Sequence, residues 1–419
     1  MSSSYTLTLV FAGFLTLNLL LKLWLANRQL SHITQHRASV PVAFKEVIEL
    51  SARQKAADYT SAKLRLGHWR LAIDASILLV WTLLGGLGAL DTWLMQLSGT
   101  GMLQQLLLVM GFMLISRLVS LPLSYFQTFK IDQHFGFNKM SLGLWLSDLV
   151  KSSALGLVLG LPLVAAILWL MQSGGNQWWL LAWALLVGYQ LFVMWLAPNY
   201  IMPLFNKFQP LEDSQLQKRV NALMQRTGFK SDGFFVMDGS RRSAQANAYF
   251  TGLGKQKRVV FFDTLLKQLS PSEMEAVLAH ELGHAKLNHI PKSLLRSFAI
   301  SLLGMAALGW LSTQMWFYTG LGVQPHSASS NDALALLLFM LVVPLVTFIT
   351  TPLSAIKSRQ YEFEADAFAC AHASGQDLLQ ALLKLYQGNA STLTPDPLYV
   401  AFYHSHPPAA QRLGRLTAQ

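Results

Sequence analysis

A mainly α-helical protein that crosses a membrane seven times and carries a smaller α+β insertion is what this sequence predicts, on three observations. Of the 419 residues, 53% are hydrophobic and only 13% charged, whereas soluble proteins carry about 25% charged residues. Seven stretches are apolar and long enough to cross a bilayer, which takes about 20 residues at ~1.5 Å of rise each. One long polar segment, 198–296, mixes helix-like and strand-like patterns.

The spans run 5–26, 71–90, 102–126, 149–171, 178–197, 297–319 and 333–355. The first continues into LWLANR without a small-residue cleavage site, so it reads as a retained anchor and not a removed signal peptide. The loops alternate in charge. Residues 28–70, 127–148 and 198–296 carry Lys and Arg, while 91–101, 172–177 and 320–332 carry none. Basic loops stay in the cytoplasm, which places the N-terminus outside and the C-terminus inside. The chain then divides into a membrane domain, 1–200, with five spans, and a second domain, 201–419, that holds the polar insertion and the last two spans. The net charge of +11 fits basic loops against an anionic leaflet, and no aromatic-basic motif points to nucleic acid. A single cysteine, Cys370, excludes an internal disulfide framework and sits in an apolar run. Asp74, Asp148 and Lys151 lie near span ends. Arg117 lies deeper, where a charge costs about 2.5–3.5 kcal/mol, and this points it at a partner or an internal cavity.

Within the insertion, residues 211–228 form an amphipathic helical pattern stopped by Gly228. Residues 233–238, 248–253 and 258–262 read as short strands. Ser270-Pro271-Ser272-Glu273 is a capping box with proline at the first helical position, so a helix starts at 271 and is expected to run through Asn288. That helix carries His-Glu-Leu-Gly-His. His280 and His284, four residues apart, share one face, as two imidazoles must to grip one metal ion. Glu281 is placed to act as general base on a metal-bound water. His289, five residues past His284, falls off that face and reads as a helix-end residue.

A catalytic zinc takes three protein ligands and keeps one open position. The candidate third ligand lies in SRQYEFEADAF, residues 358–368. Glu362 and Asp366 share a helical face; the first would complete the site, and the second would accept a hydrogen bond from a ligand histidine. On spacing alone, Glu362, Glu364 and Asp366 are not separable.

HELGH followed by SRQYEFEADAFA resembles the type I CAAX prenyl proteases, seven-span membrane zinc endopeptidases. The resemblance extends through KAADYTSAKLRL (55–66), LPLSYFQTFKIDQHFGFNKMS (121–141), APNYIMPLFNKFQPLED (197–213), DGSRRSAQANAYFTGLGKQKRVVFFDTLL (238–266) and FYHSHPPAAQRL (402–413), nearly the whole chain in the same order. It implies a seven-helix bundle enclosing a water-filled chamber, with a zincin-like metallopeptidase domain on the cytoplasmic side. It implies one zinc ion held by His280, His284 and Glu362, with Asp366 behind a ligand and Glu281 as base. It implies that His406 faces the tetrahedral intermediate, and that Asn247 and Ala248 form an edge strand that pairs with substrate. His404, two residues away, is separated from His406 only by the family pattern. The chain departs from the family at SAQANAY (243–249), where SSHSNAY is frequent. The short loop between the last two spans and a C-terminus lacking a dilysine signal fit a bacterial inner-membrane member.

The expected activity is hydrolysis near the C-terminus of membrane-associated or lipidated peptides. A broader membrane-protein quality-control protease uses the same chemistry. A non-catalytic scaffold with a structural zinc is the third reading, and an intact Glu281 argues against it. Reporter fusions test the topology: fusions within 91–101 and 320–332 are expected to report the outside, and a cytoplasmic signal from either overturns it.

Overall fold

The computed structural model describes residues 2–41, 44, 45, 47–229, 233–251, 258–327 and 329–416. Among the described residues, six helices are long and apolar enough to cross a membrane: Ser3–Gln35, Met102–Asp132, Leu142–Ser173, Gly175–Phe205, His289–Leu311 and Asp332–His372. The expected second span, 71–90, is a bent pair and makes a seventh crossing if taken as one. Leu50–Trp81 and Gly86–Ser98 meet at 52°. Glycine permits the break: Gly85 has φ of +77°, and a Cβ on Gly86 would lie 2.6 Å from the Val80 carbonyl oxygen. Residues 91–98, expected as loop, are therefore helical.

The bundle has an apolar core where the spans meet, around Leu87, Leu108, Leu168, Ala182, Leu308 and Leu338. Outward positions are apolar as well. Val158, Trp169, Leu295 and Leu303 are exposed, as expected of helices that face lipid. The charges near the spans find partners. Asp148 pairs with Arg242 at 2.8 Å, and Lys151 Nζ donates to the Leu204 carbonyl at 2.9 Å. Arg117 donates to Ser152 Oγ at 2.9 Å and lines a small pocket beside Asp148.

The insertion folds as a four-stranded sheet packed on helices. Strands β1 (Phe208–Pro210), β2 (Phe234–Met237), β3 (Ala248–Thr251) and β4 (Arg258–Phe262) lie in the order β1-β2-β4-β3. The β2–β4 pair is parallel, and β1–β2 and β3–β4 are antiparallel. β1 was not expected; it is three residues long and ends in proline. The expected end of β3 at 252–253 lies outside the described residues. β3 is an edge strand, with Ala248 opposite Phe261 in β4.

The motif helix, Pro271–Lys286, is the centre of the second core. Its capping box forms: Glu273 N donates to Ser270 Oγ at 3.3 Å, and Ser270 N donates to Glu273 Oε2 at 2.7 Å. Residues 273–280, 282 and 283 are all buried. The helix is covered by Ser214–Thr227, by Gly375–Gly388 and by the C-terminal half of Asp332–His372. This last helix is 41 residues long, about 60 Å at ~1.5 Å per residue. Its first half is the final span and its second half carries SRQYEFEADAF.

The two helices touch at Gly283. A Cβ there would lie 3.0 Å from Ala365 Cα and 3.1 Å from Phe368 Cβ. Backbone cannot yield as a flexible side chain can, so the added methyl must push the helices apart. Gly283→Ala would gain roughly 1 kcal/mol of helix propensity. Its expected net effect is still loss of metal retention on dialysis, with the fold intact by circular dichroism. Retention equal to the parent chain would show that the close approach is not needed.

Candidate metal centre

The crossing at Gly283 brings three side chains to one point. His280 Nε2 and His284 Nε2 are 3.2 Å apart. Glu362 Oε1 lies 3.3 Å from His284 Nε2, and Oε2 lies 3.6 Å from His280 Nε2. All three ligand atoms fall within 4.8 Å of one another. Two nitrogens each about 2.1 Å from one ion at a tetrahedral angle stand roughly 3.4 Å apart, close to the spacing seen here.

The polar atoms around the triad fit the same conclusion. His280 Nδ1 is 2.8 Å from Asp366 Oδ1. A carboxylate accepts, so Nδ1 carries the proton and Nε2 presents its lone pair to the triad. Glu362 Oε2 is buried without a hydrogen-bond partner. The Arg412 guanidinium lies 3.5 Å from that oxygen and balances part of its charge, while the side facing the two imidazole lone pairs is left for a cation. Two histidines and one carboxylate are a donor set that zinc takes.

Asp366 is itself held. Arg412 Nε donates to Asp366 Oδ2 at 2.9 Å, and both side chains are buried. Burial disfavours the guanidinium charge, but the hydrogen bond and charge of Asp366 outweigh it and raise the Arg412 pKa above its ordinary value. Removing one partner of such a buried pair costs about 3–5 kcal/mol. Arg412 sits in the short C-terminal helix Ala409–Leu416. Sequence reasoning assigned it no role, because nothing in its spacing ties it to a helix more than forty residues away.

Glu281 lines the cavity with His280, His284 and Glu362 and makes no hydrogen bond or ion pair among the described residues. Its carboxylate is free to meet a substrate or a water. His406 Nε2 lies 3.5 Å from Glu362 Oε1, and its side chain is 68% exposed. His404 instead turns its ring onto Tyr399, at 5.9 Å between centroids. Both histidines line the cavity, and His406 is the one whose ring comes within 4 Å of Glu362.

Asn247 and Ala248 also line the cavity, at the start of the edge strand. A side chain not expected from the sequence holds this stretch. Asn389 Oδ1 accepts from Ala246 N at 2.9 Å, and Nδ2 donates to Ala246 O at 3.1 Å. The amide acts as a one-residue strand partner. The cavity has a volume of about 1070 Å³ and extends from the triad to Lys22, Arg70 and Asp74 on the first two long helices. Arg117 does not line it.

Residues 29–207 match the family model described as CAAX prenyl protease N-terminal, five membrane helices, and residues 210–419 match peptidase family M48. A CAAX prenyl protease 1 homolog of Arabidopsis thaliana is 38% identical over 310 residues, covering 72% of this chain and 71% of its own. CAAX prenyl protease 1 of Saccharomyces cerevisiae is 37% identical over 316 residues, covering 72% and 69%. The human homolog is 27% identical, covering 97% and 95%. The crystal structure of S. mikatae Ste24p superposes with a TM-score of 0.91 at 32% identity, over 98% of this chain and 99% of that one. With a triad that could hold a metal ion, the multi-span bundle and the α+β domain in place, the chain belongs to the CAAX prenyl protease family of M48 zinc metalloproteases.

Proposed function

We propose that this membrane metalloendopeptidase binds one zinc ion through His280, His284 and Glu362 and cleaves membrane-associated peptides near their C-termini, lipidated ones among them. The observation that carries the reading is the His280–His284–Glu362 cluster beside an uncommitted Glu281, in a cavity that reaches the first two long helices. Zinc, when bound, supplies Lewis acidity toward a water and the scissile carbonyl. Glu281 takes a proton from the attacking water and passes it to the leaving amine. His406, exposed and next to Glu362, turns its ring to donate a hydrogen bond to the developing oxyanion. Asn247 and Ala248 align substrate backbone along the free side of β3, in the manner of strand addition. Asp366 fixes the His280 tautomer, and Arg412 holds Asp366.

The charge alternation of the loops supports a cytoplasmic peptidase site, with the N-terminus outside. We take the chain to divide into a five-span domain, 1–200, and a peptidase domain, 201–419, that includes the last two spans, a boundary near the one between the two matched family models. The relatives reported above are eukaryotic and lend no support to a bacterial source.

A Glu281→Gln chain tests the mechanism. It is expected to keep its zinc and to lose at least ~100-fold in turnover, the low end of what a positioned base contributes. Full activity would remove Glu281 from the base role. Run on the parent chain, a prenylated peptide, its unprenylated twin and an unfolded membrane protein test the substrate. Preference for the prenylated peptide is expected. Faster cleavage of the unfolded protein would favour the quality-control role.

A further inference from the structure

His289 does more than end a helix. The motif helix stops at Lys286, and Asn288 adopts a left-handed conformation with φ of +57° and ψ of +39°. Asparagine tolerates this region better than most residues. The turn reverses the direction of the next side chain. His289, at the start of Leu311's helix, swings back over His284 and is 3% exposed.

The contacts form a directed chain. His289 Nδ1 lies 3.0 Å from His284 Nδ1, and His289 Nε2 lies 3.0 Å from Glu364 Oε2. Glu364 accepts only, so His289 Nε2 carries the proton, and in the neutral ring His289 Nδ1 is left as an acceptor. His284 Nδ1 must then be the donor. That leaves His284 Nε2 as a lone pair aimed at Glu362 and His280. The ring of His289 is fixed by stacking on Tyr361, with centroids 4.1 Å apart and planes 11° apart. Tyr361 OH in turn accepts from Arg296 Nη2 at 3.1 Å.

We propose that His289 and Glu364 are positioning residues for the metal centre, setting the tautomer and ring orientation of His284 through the hydrogen-bonded series Glu364–His289–His284. The proposal rests on the zinc reading given above. It makes the two ligand histidines unlike. His280 is backed directly by a carboxylate, Asp366, whereas His284 is backed by a neutral imidazole that places Glu364 one ring further out. Glu362, Glu364 and Asp366, which spacing could not rank, thereby take three different places around one centre.

The test is zinc affinity of the full-length chain in detergent, by competition with a chelator. His289→Phe keeps an aromatic ring for the stack on Tyr361 but has no acceptor. Its affinity is expected to fall ~10–100-fold, the usual cost of losing such a partner. His289→Asn puts an amide oxygen where Nδ1 was, and is expected to stay within about threefold of the parent chain. A loss in Phe that Asn restores supports the relay; packing alone would give the reverse order. Equal affinity of Phe and parent, or equal loss in Phe and Asn, overturns it. Should the Phe chain fail to fold, Glu364→Ala reads the same relay from its outer end, where weaker zinc binding supports it and unchanged binding overturns it. A parent chain that takes up no zinc would overturn the metal reading itself, a result distinct from any of these.

Discussion

The structure depends on one close contact, the crossing of the motif helix over the C-terminal half of the final long helix at Gly283. Two histidines on one helix can present a pair of nitrogens, but they cannot complete a three-ligand site by themselves. The third ligand must come from a helix near enough for a glutamate to reach. A glycine at the contact lets the backbone of Ala365 approach within van der Waals range. Glu362 and Asp366 stand one turn apart on the same face, so one crossing serves both histidine faces: Glu362 meets the Nε2 atoms and Asp366 meets His280 Nδ1.

The final apolar span and Glu362 lie on one helix, Asp332–His372, so the candidate site is continuous with the helical bundle. Other contacts repeat this tie. Arg242 of the insertion pairs with Asp148 on the helix Leu142–Ser173. Arg28, toward the C-terminal end of the first helix, pairs with Asp396, whose carboxylate also accepts from the backbone of Leu398 and Tyr399. Arg53 donates to the His36 carbonyl and to Thr394. Each joins a membrane helix or its extension to a segment beside the cavity. The cavity is lined by residues from both halves of the chain.

Features that repeat along the chain were legible in the sequence. The capping box at Ser270, the four-residue spacings and the long apolar helices depend on local geometry, and all but the second of those helices form unbroken. Features set by a single residue's backbone or by distant packing were not. The break in the second span follows from Gly85 and Gly86, which an apolar window averages away. His289 was placed off the site because the helix was extended through Asn288; the left-handed turn there sends it the other way. Arg412 and Asn389 reach their partners only through tertiary packing, and no periodicity announces them. Choosing Glu362 over its acidic neighbours required the family pattern, and in the structure the helix crossing supplies the physical reason.

X-ray absorption at the zinc edge of the purified full-length chain tests the central claim most directly. The account predicts a first shell of light atoms only, two imidazole nitrogens and carboxylate or water oxygens at about 2.0–2.2 Å, with the imidazole scattering reduced in His284→Ala and the carboxylate contribution lost in Glu362→Ala. A sulfur ligand, or a zinc shell indifferent to both substitutions, would contradict it.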